Sequence, residues 1–318
     1  MGAFTIINQI LLLAILTAVG SLAFRFKILE ESAKEIIQKL VFYITLPLLI
    51  VTKLSVLEFT DEILKNGGLV VLFSFLIMIL QLGLGKLSAR FFALRKPQAV
   101  IHSLHHMLGN VVFLGFPLVD TLIPGGEALL YAALYQLVLN ALLWSYGVIQ
   151  LNPDDSQKGL KQFKKLINPN TIALSLGLIM MLLKIRLPDV LQQSLGGLGS
   201  TTTYLAMLYI GILLAQMKMK EIFSISIFTF SFTKLVFSPL IFMLSLLVLI
   251  NYFLLPLNSV AFTVLVLESA MPGMTILVLL AKRYGADDAL AMKNFFVSTV
   301  LSLITLPLIL YLIQWSQN

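Results

Sequence analysis

Polar and apolar positions in this chain segregate by whole segments rather than residue by residue. Ten mostly apolar runs are separated by short polar stretches: roughly 4–24, 36–54, 68–92, 98–122, 128–150, 169–185, 200–216, 222–250, 258–281 and 289–313. A helix needs about 20 mostly apolar residues to cross a bilayer. The pattern therefore predicts an all-α integral membrane protein with ten transmembrane helices. The largest polar stretch, "NPDDSQKGLKQFKKLINP" from 152 to 169, is short and basic and leaves no room for a soluble domain.

Two of the runs are irregular. The fourth, "VIHSLHHMLGNVVFLGFPLVDTL", and the ninth, "SVAFTVLVLESAMPGMTILVLLA", each begin with a few apolar helical turns. Each then meets helix-breaking residues near the expected bilayer centre: Gly109, Asn110, Gly115 and Pro117 in one, Pro272 and Gly273 in the other. Proline removes a backbone donor and clashes with the preceding turn. Freed backbone groups are tolerated at membrane depth only against protein or a water-filled cavity. A lone proline would read as a simple kink, since proline and glycine are common in membrane helices. Two interrupted spans at corresponding places in two halves instead point to a transporter's binding site. Half-helix N-termini there suit a carboxylate.

Dividing the chain at 151–168 leaves five spans in 1–150 and five in 169–318. An odd number per half turns the second half over, so related halves would form an inverted repeat. Gly125-Gly126-Glu127-Ala128-Leu129 after the fourth run and Gly285-Ala286-Asp287-Asp288-Ala289 after the ninth lie 160 residues apart and support that register.

Composition and charge sharpen the picture. Of 318 residues, 59% are hydrophobic and 12% charged, against about 45–50% and roughly 25% in soluble domains. The net charge of +7 does not indicate nucleic acid, because the basic residues sit in short clusters between apolar runs. Of the 22 lysines and arginines, 17 fall in the odd-numbered loops and 4 in the even-numbered ones. Basic residues favour the cytoplasmic side, which places both termini outside and the 152–169 loop in the cytoplasm. Arg25 and Lys27 follow the first run and none precedes it, so that run reads as a retained span rather than a signal peptide. Cysteine is absent, which excludes disulfides and thiolate metal sites.

Few polar side chains remain inside the runs. Glu268 lies four residues before Pro272, on the same helical face; an intramembrane ionisable group is a functional candidate by default. The competing reading puts it near the outer water boundary or beside a lysine. His102, His106 and Asn110 form one helical stripe. His106 is a candidate for proton coupling, while His102 and His105 read as ordinary contacts near the cytoplasmic interface. Three histidines without cysteine do not make a metal site. Gln136 and Asn140 either line a path or bond neighbouring helices. Lys53 and Lys234 look buried by window count, but Leu235 to Leu255 is long enough to span alone, so Lys234 is expected to snorkel to the cytoplasmic surface. Thr201 to Thr203 are expected to open the seventh span.

The pattern Asn110-x4-Gly115-x-Pro117-Leu118, the "AMPG" at 270–273 followed by "LAKRYG", the second-run "FYITLPLLIVTKLS", Trp144 and the final "TLPLILYL" together resemble the auxin efflux carrier superfamily. That superfamily includes plant PIN-type carriers and bacterial malate and malonate permeases. The likeness spans nearly the whole chain. It implies the ten-span inverted-repeat fold with a scaffold part and a transport part, in which helices four and nine cross. It also implies a substrate near Asn110 and Pro272, elevator-like movement and a homodimer. The long hydrophilic central loop of many plant members is missing, and Leu277 stands where they often carry a second proline. The chain thus looks like a compact bacterial-type member.

The resulting expectation is a secondary transporter in the cytoplasmic membrane that moves a small organic anion, a dicarboxylate or another weak acid. Its substrate-binding residues would be Asn110, Gly115, Pro117, Asn140, Met271, Pro272 and Gly273. Glu268 or His106 would couple a proton or sodium ion, with no cofactor and no metal. The alternative is a channel-like or regulatory membrane protein that retains the fold. A membrane enzyme is disfavoured, since no nucleophile–base pair, metal cluster or phosphate loop is present.

Overall fold

The computed structural model describes residues 3–152, 163–216 and 224–317, with backbone alone for 3–7, 10 and 163. Lys158, Lys161, Lys218 and Lys220, which carry part of the orientation argument, lie outside the described residues. The helices are α1 (Ala3–Arg25), α2 (Glu31–Leu54), α3 (Asp61–Phe91), α4 (Lys96–Met107), α5 (Phe116–Leu122), α6 (Glu127–Leu151), α7 (Pro169–Leu182), α8 (Asp189–Ala215), α9 (Ile225–Phe253), α10 (Ser259–Ser269), α11 (Thr275–Tyr284) and α12 (Asp288–Gln317). Six of them, α2, α3, α6, α8, α9 and α12, are long and apolar enough to cross a membrane. Shorter apolar helices cover Leu11–Arg25, Val111–Leu122, α7 and α10. Helix lies in every apolar run.

Local chemistry sets the helix ends. The Asn168 side chain accepts from the amides of Asn170 and Thr171 at the start of α7, and Asn258 accepts from Ala261 at the start of α10. Each satisfies amides that have no partner inside the helix. Pro97 and Pro169 sit in first turns, where a missing N–H costs nothing, whereas Pro117 lies within the continuous helix Val111–Leu122, just after its π-helical turn. Gly125 and Gly126 before α6, and Gly285 after α11, all have positive φ. The two glycine-bearing motifs 160 residues apart are therefore both turns.

The chain divides into two compact units, each drawing on both halves of the sequence. The first comprises 1–68, 112–134 and 167–217. In it α1 meets α8 where a Cβ on Gly20 would lie 2.5 Å from the Leu208 carbonyl oxygen, and one on Gly211 would lie 2.7 Å from the Ser21 nitrogen. Ser21 Oγ donates to the Gly211 carbonyl at 2.7 Å. Similarly, α2 packs on α8 at Gly199 and on α7 at Gly177. Small residues let backbones approach where lipid supplies no hydrophobic drive for helix association.

Helix α8 starts eleven residues before the expected 200. Gln192 donates to the Thr52 carbonyl and accepts from Ser55, tying the first turn of α8 to the end of α2. Thr201 to Thr203 thus sit in mid-helix; Thr201 and Thr202 bond carbonyls one turn back. Lys53 is only half-buried and pairs with Asp120 of α5 at 3.0 Å.

The second unit comprises 69–111, 135–166 and 218–318. Here α4 packs against α3 at Gly85, where a Cβ would lie 2.8 Å from Ser103 Cα. Phe230 of α9 sits among the rings of His102, His105 and His106, with centroids 5.7, 6.0 and 4.8 Å away. All three histidines are buried within the protein. Lys234 does not snorkel. It lies in the π-helical turn Thr233–Phe237 of α9, fully buried, and donates to Gln81 Oε1 at 2.8 Å. The span begins at Ile225 rather than near Leu235, so Lys234 is its tenth residue and not a flanking one.

Candidate substrate site at the crossing segments

Both irregular runs are broken in the structure, and in the second unit each break completes the other. Helix α4 stops at Met107, and Leu108 is extended, with φ −104° and ψ 110°. Helix α10 stops at Ser269, and Met274 is extended again before α11 begins. Gly109 and Gly273 face one another across an antiparallel bridge. The Asn110 amide donates to the Pro272 carbonyl at 2.8 Å, and the Met274 amide donates to the Leu108 carbonyl at 3.1 Å. The Gly273 amide donates to Ser298 Oγ of α12 at 3.0 Å. Each helix break would otherwise strand polar backbone in an apolar interior at several kcal/mol per group.

Both bridge positions are tight for anything larger than glycine. A Cβ on Gly109 would fall 3.1 Å from Met271 Cβ, and one on Gly273 would fall 3.1 Å from the His105 ring. His105 Nε2 in turn bonds the Met274 carbonyl at 3.2 Å, which buttresses the crossing from the α4 side.

The break in the fourth run lies at 108–110 rather than at 115–117. Gly115 ends the π-helical turn Val111–Gly115, which runs straight into α5, and Pro117 occupies the first turn of α5. Both belong to the first unit, whereas Asn110, Asn140, Glu268, Met271, Pro272 and Gly273 belong to the second. The main-chain amides of Asn110, Val111, Met271, Gly273 and Met274 all donate within the second unit.

The side chains nearest the bridge in sequence carry unused polar atoms. Asn110 is 2% exposed and its Nδ2 has no hydrogen-bond partner. Glu268, in the last turn of α10, is fully buried with both carboxylate oxygens unpartnered. Among the described residues no lysine or arginine lies within 4 Å of it, although it interacts electrostatically with Lys234 and Tyr135. Asn294, one turn before Ser298, is likewise buried with neither side-chain polar atom bonded. Unsatisfied buried groups cost about 1–3 kcal/mol each, more when charged, so each of these is a candidate to meet a solute or an ion.

His106 differs. Its Nδ1 bonds the His102 carbonyl at 2.9 Å and its Nε2 bonds Thr233 Oγ1 at 2.8 Å, so both ring nitrogens are engaged. Asn140 accepts from Gln136 at 3.1 Å, one turn earlier on α6, while Gln136 Oε1 remains free.

Sequence reasoning missed two groups. Gln81 of α3 receives Lys234 and donates to Ser238 Oγ at 2.9 Å and to the Ser269 carbonyl at 2.8 Å, the last carbonyl of α10. Ser298 holds the bridge through Gly273. The available signals were a lone glutamine in an apolar run and the Asn294–Ser298 spacing of four.

Among the described residues no group of three or more histidine, aspartate or glutamate side chains could hold a metal. The profile of a family described as membrane transport protein matches residues 5–164 and 157–310 of this chain. An uncharacterized transporter of Methanocaldococcus jannaschii is 28% identical over 308 residues, covering 95% of this chain and 96% of its own length. A multi-pass chain with two mutually completed helix breaks and this match along nearly its full length is a membrane transporter, and it belongs to the membrane transport protein family, the auxin efflux carrier superfamily.

Proposed function

We propose that the protein is a secondary transporter for a small organic anion, a dicarboxylate or another weak acid, in the cytoplasmic membrane. The observation that carries this reading is the unpartnered, buried Asn110 amide nitrogen beside the Gly109–Gly273 bridge. An amide N–H₂ presents two donors and no charge, so it can orient a carboxylate and release it again. Met271, Pro272 and Gly273 supply the wall opposite, and Asn140 is a further polar group of the same unit.

Glu268 is the coupling group of this proposal. A carboxylate with neither oxygen bonded can exchange a proton or ligate a sodium ion without dismantling any hydrogen bond. His106 is the weaker candidate, because both of its nitrogens already hold the helices together. The reading further takes ten spans in two inverted halves, both termini outside, and elevator-like alternating access. The division into two compact units, each built from both halves, supports a scaffold part and a transport part.

A thermal-shift screen of the purified protein against malate, malonate, succinate and monocarboxylates tests the substrate class. Dicarboxylates should raise the unfolding midpoint in a concentration-dependent way. A response to neutral or cationic solutes alone contradicts the anion assignment.

A further inference from the structure

Away from the crossing segments, the first unit contains a small cavity of about 230 Å³ where the chain leaves α2 and α7. Ser55, Glu58 and Phe59, which follow α2, and Met181, Lys184 and Arg186, at and after the end of α7, line it. The cavity is smaller than the roughly 300–1,000 Å³ of sites for drug-sized ligands, so it suits a headgroup-sized solute. Its three charged residues have opposite signs, yet among the described residues none of them is ion-paired within 4 Å. The backbone fixes the basic side. Lys184 takes a left-handed conformation (φ 54°) as the Ile185 amide closes onto the Met180 carbonyl at 2.8 Å, ending α7.

The surface below the cavity is apolar. Ile172, Leu176, Ile179 and Leu183 follow one another along α7 at helical spacing, each about half exposed or more. At 1.5 Å per residue the stripe is about 16 Å long, close to half of the ~30 Å hydrocarbon core. An acyl chain laid along this stripe therefore ends with its headgroup at the cavity.

We propose that the cavity formed by Glu58, Lys184 and Arg186 binds the zwitterionic headgroup of phosphatidylethanolamine, with an acyl chain along the exposed face of α7. Arg186 and Lys184 meet the phosphate; guanidinium and ammonium groups are both effective phosphate donors. Glu58 accepts hydrogen bonds from the primary ammonium. Phosphatidylglycerol offers Glu58 only neutral hydroxyls, and the choline headgroup has no N–H to donate, so both lose the charge-assisted hydrogen bond. The assignment does not depend on what the protein transports.

Native mass spectrometry of the full chain in mild detergent tests it, with titration of phosphatidylethanolamine, phosphatidylglycerol, phosphatidylcholine and soluble phosphoethanolamine. The ethanolamine lipid should bind roughly tenfold more tightly than the other two lipids, the scale of one charge-assisted hydrogen bond. Glu58→Gln, nearly isosteric, should erase that preference while phosphatidylglycerol still binds. Lys184→Ala with Arg186→Ala should weaken all three lipids. Size-exclusion elution and thermal midpoint verify that the variants remain folded. Equal binding of the three lipids, or binding unchanged in the double variant, overturns the proposal. Phosphoethanolamine binding as tightly as the whole lipid also overturns it, as does a dimer that excludes lipid.

Discussion

At the scale of single residues, the second unit is organised around polar groups that an apolar interior ordinarily rejects. Lys234 is held by Gln81, and Gln81 is held in turn by Ser238 and the last carbonyl of α10. Replacing Gln81 by Leu leaves the buried lysine with no acceptor. The charged hydrogen bond it loses is worth about 1.5–3 kcal/mol, and a clear fall in thermal midpoint should follow; an unchanged midpoint would show that Lys234 finds water or another acceptor. Glu268 has no comparable support, which is why a transport role suits it better than a structural one. In proteoliposomes Glu268→Gln should abolish the response of uptake to an imposed pH gradient while uptake down a substrate gradient persists. A retained response removes Glu268 from the coupling step.

At the scale of elements, the two helix breaks are legible in the sequence as glycine, asparagine and proline inside apolar runs. Their exact place is not. Gly115 and Pro117 look like breakers, yet the helix Val111–Leu122 continues through both, with a π-helical turn just before Pro117. The true break at 108–110 exists because a partner strand from the ninth run satisfies it, and no local pattern encodes a partner 164 residues away. Lys234 escaped the sequence because Leu235 to Leu255 looks long enough to span alone, whereas α9 begins at Ile225 and carries Lys234 inside the span. The same geometry gives a prediction. Ser298→Ala leaves the Gly273 amide without its acceptor in a buried site, a loss of about 1–3 kcal/mol. The midpoint should drop and uptake should weaken with it, whereas Ser298→Thr, which retains the hydroxyl, should restore much of both. Equal damage from Ala and Thr would mean that packing, not the hydrogen bond, matters at this position.

At the scale of the whole molecule, hydropathy, basic-residue distribution and the spacing of two motifs are enough to indicate an all-helical membrane protein, because a bilayer imposes the same length and polarity on every span. The division into two compact units was not legible from local pattern. It arises from tertiary packing, such as the Gly20–Gly211 seam in the first unit and the histidine–Phe230 cluster in the second. Gly211→Val should clash with backbone at that seam and abolish recovery of monodisperse protein; normal recovery would show that α1 and α8 can separate. The account's central claim is that the crossing segments bind the solute through Asn110. The most direct measurement is initial-rate uptake into proteoliposomes of the acid that most stabilises the protein, comparing the parent chain with Asn110→Ala at equal amounts of folded protein. Saturable uptake that disappears, or whose half-saturation rises at least roughly tenfold as loss of a donor to a charged ligand predicts, supports the claim. Uptake with unchanged rate and half-saturation contradicts it.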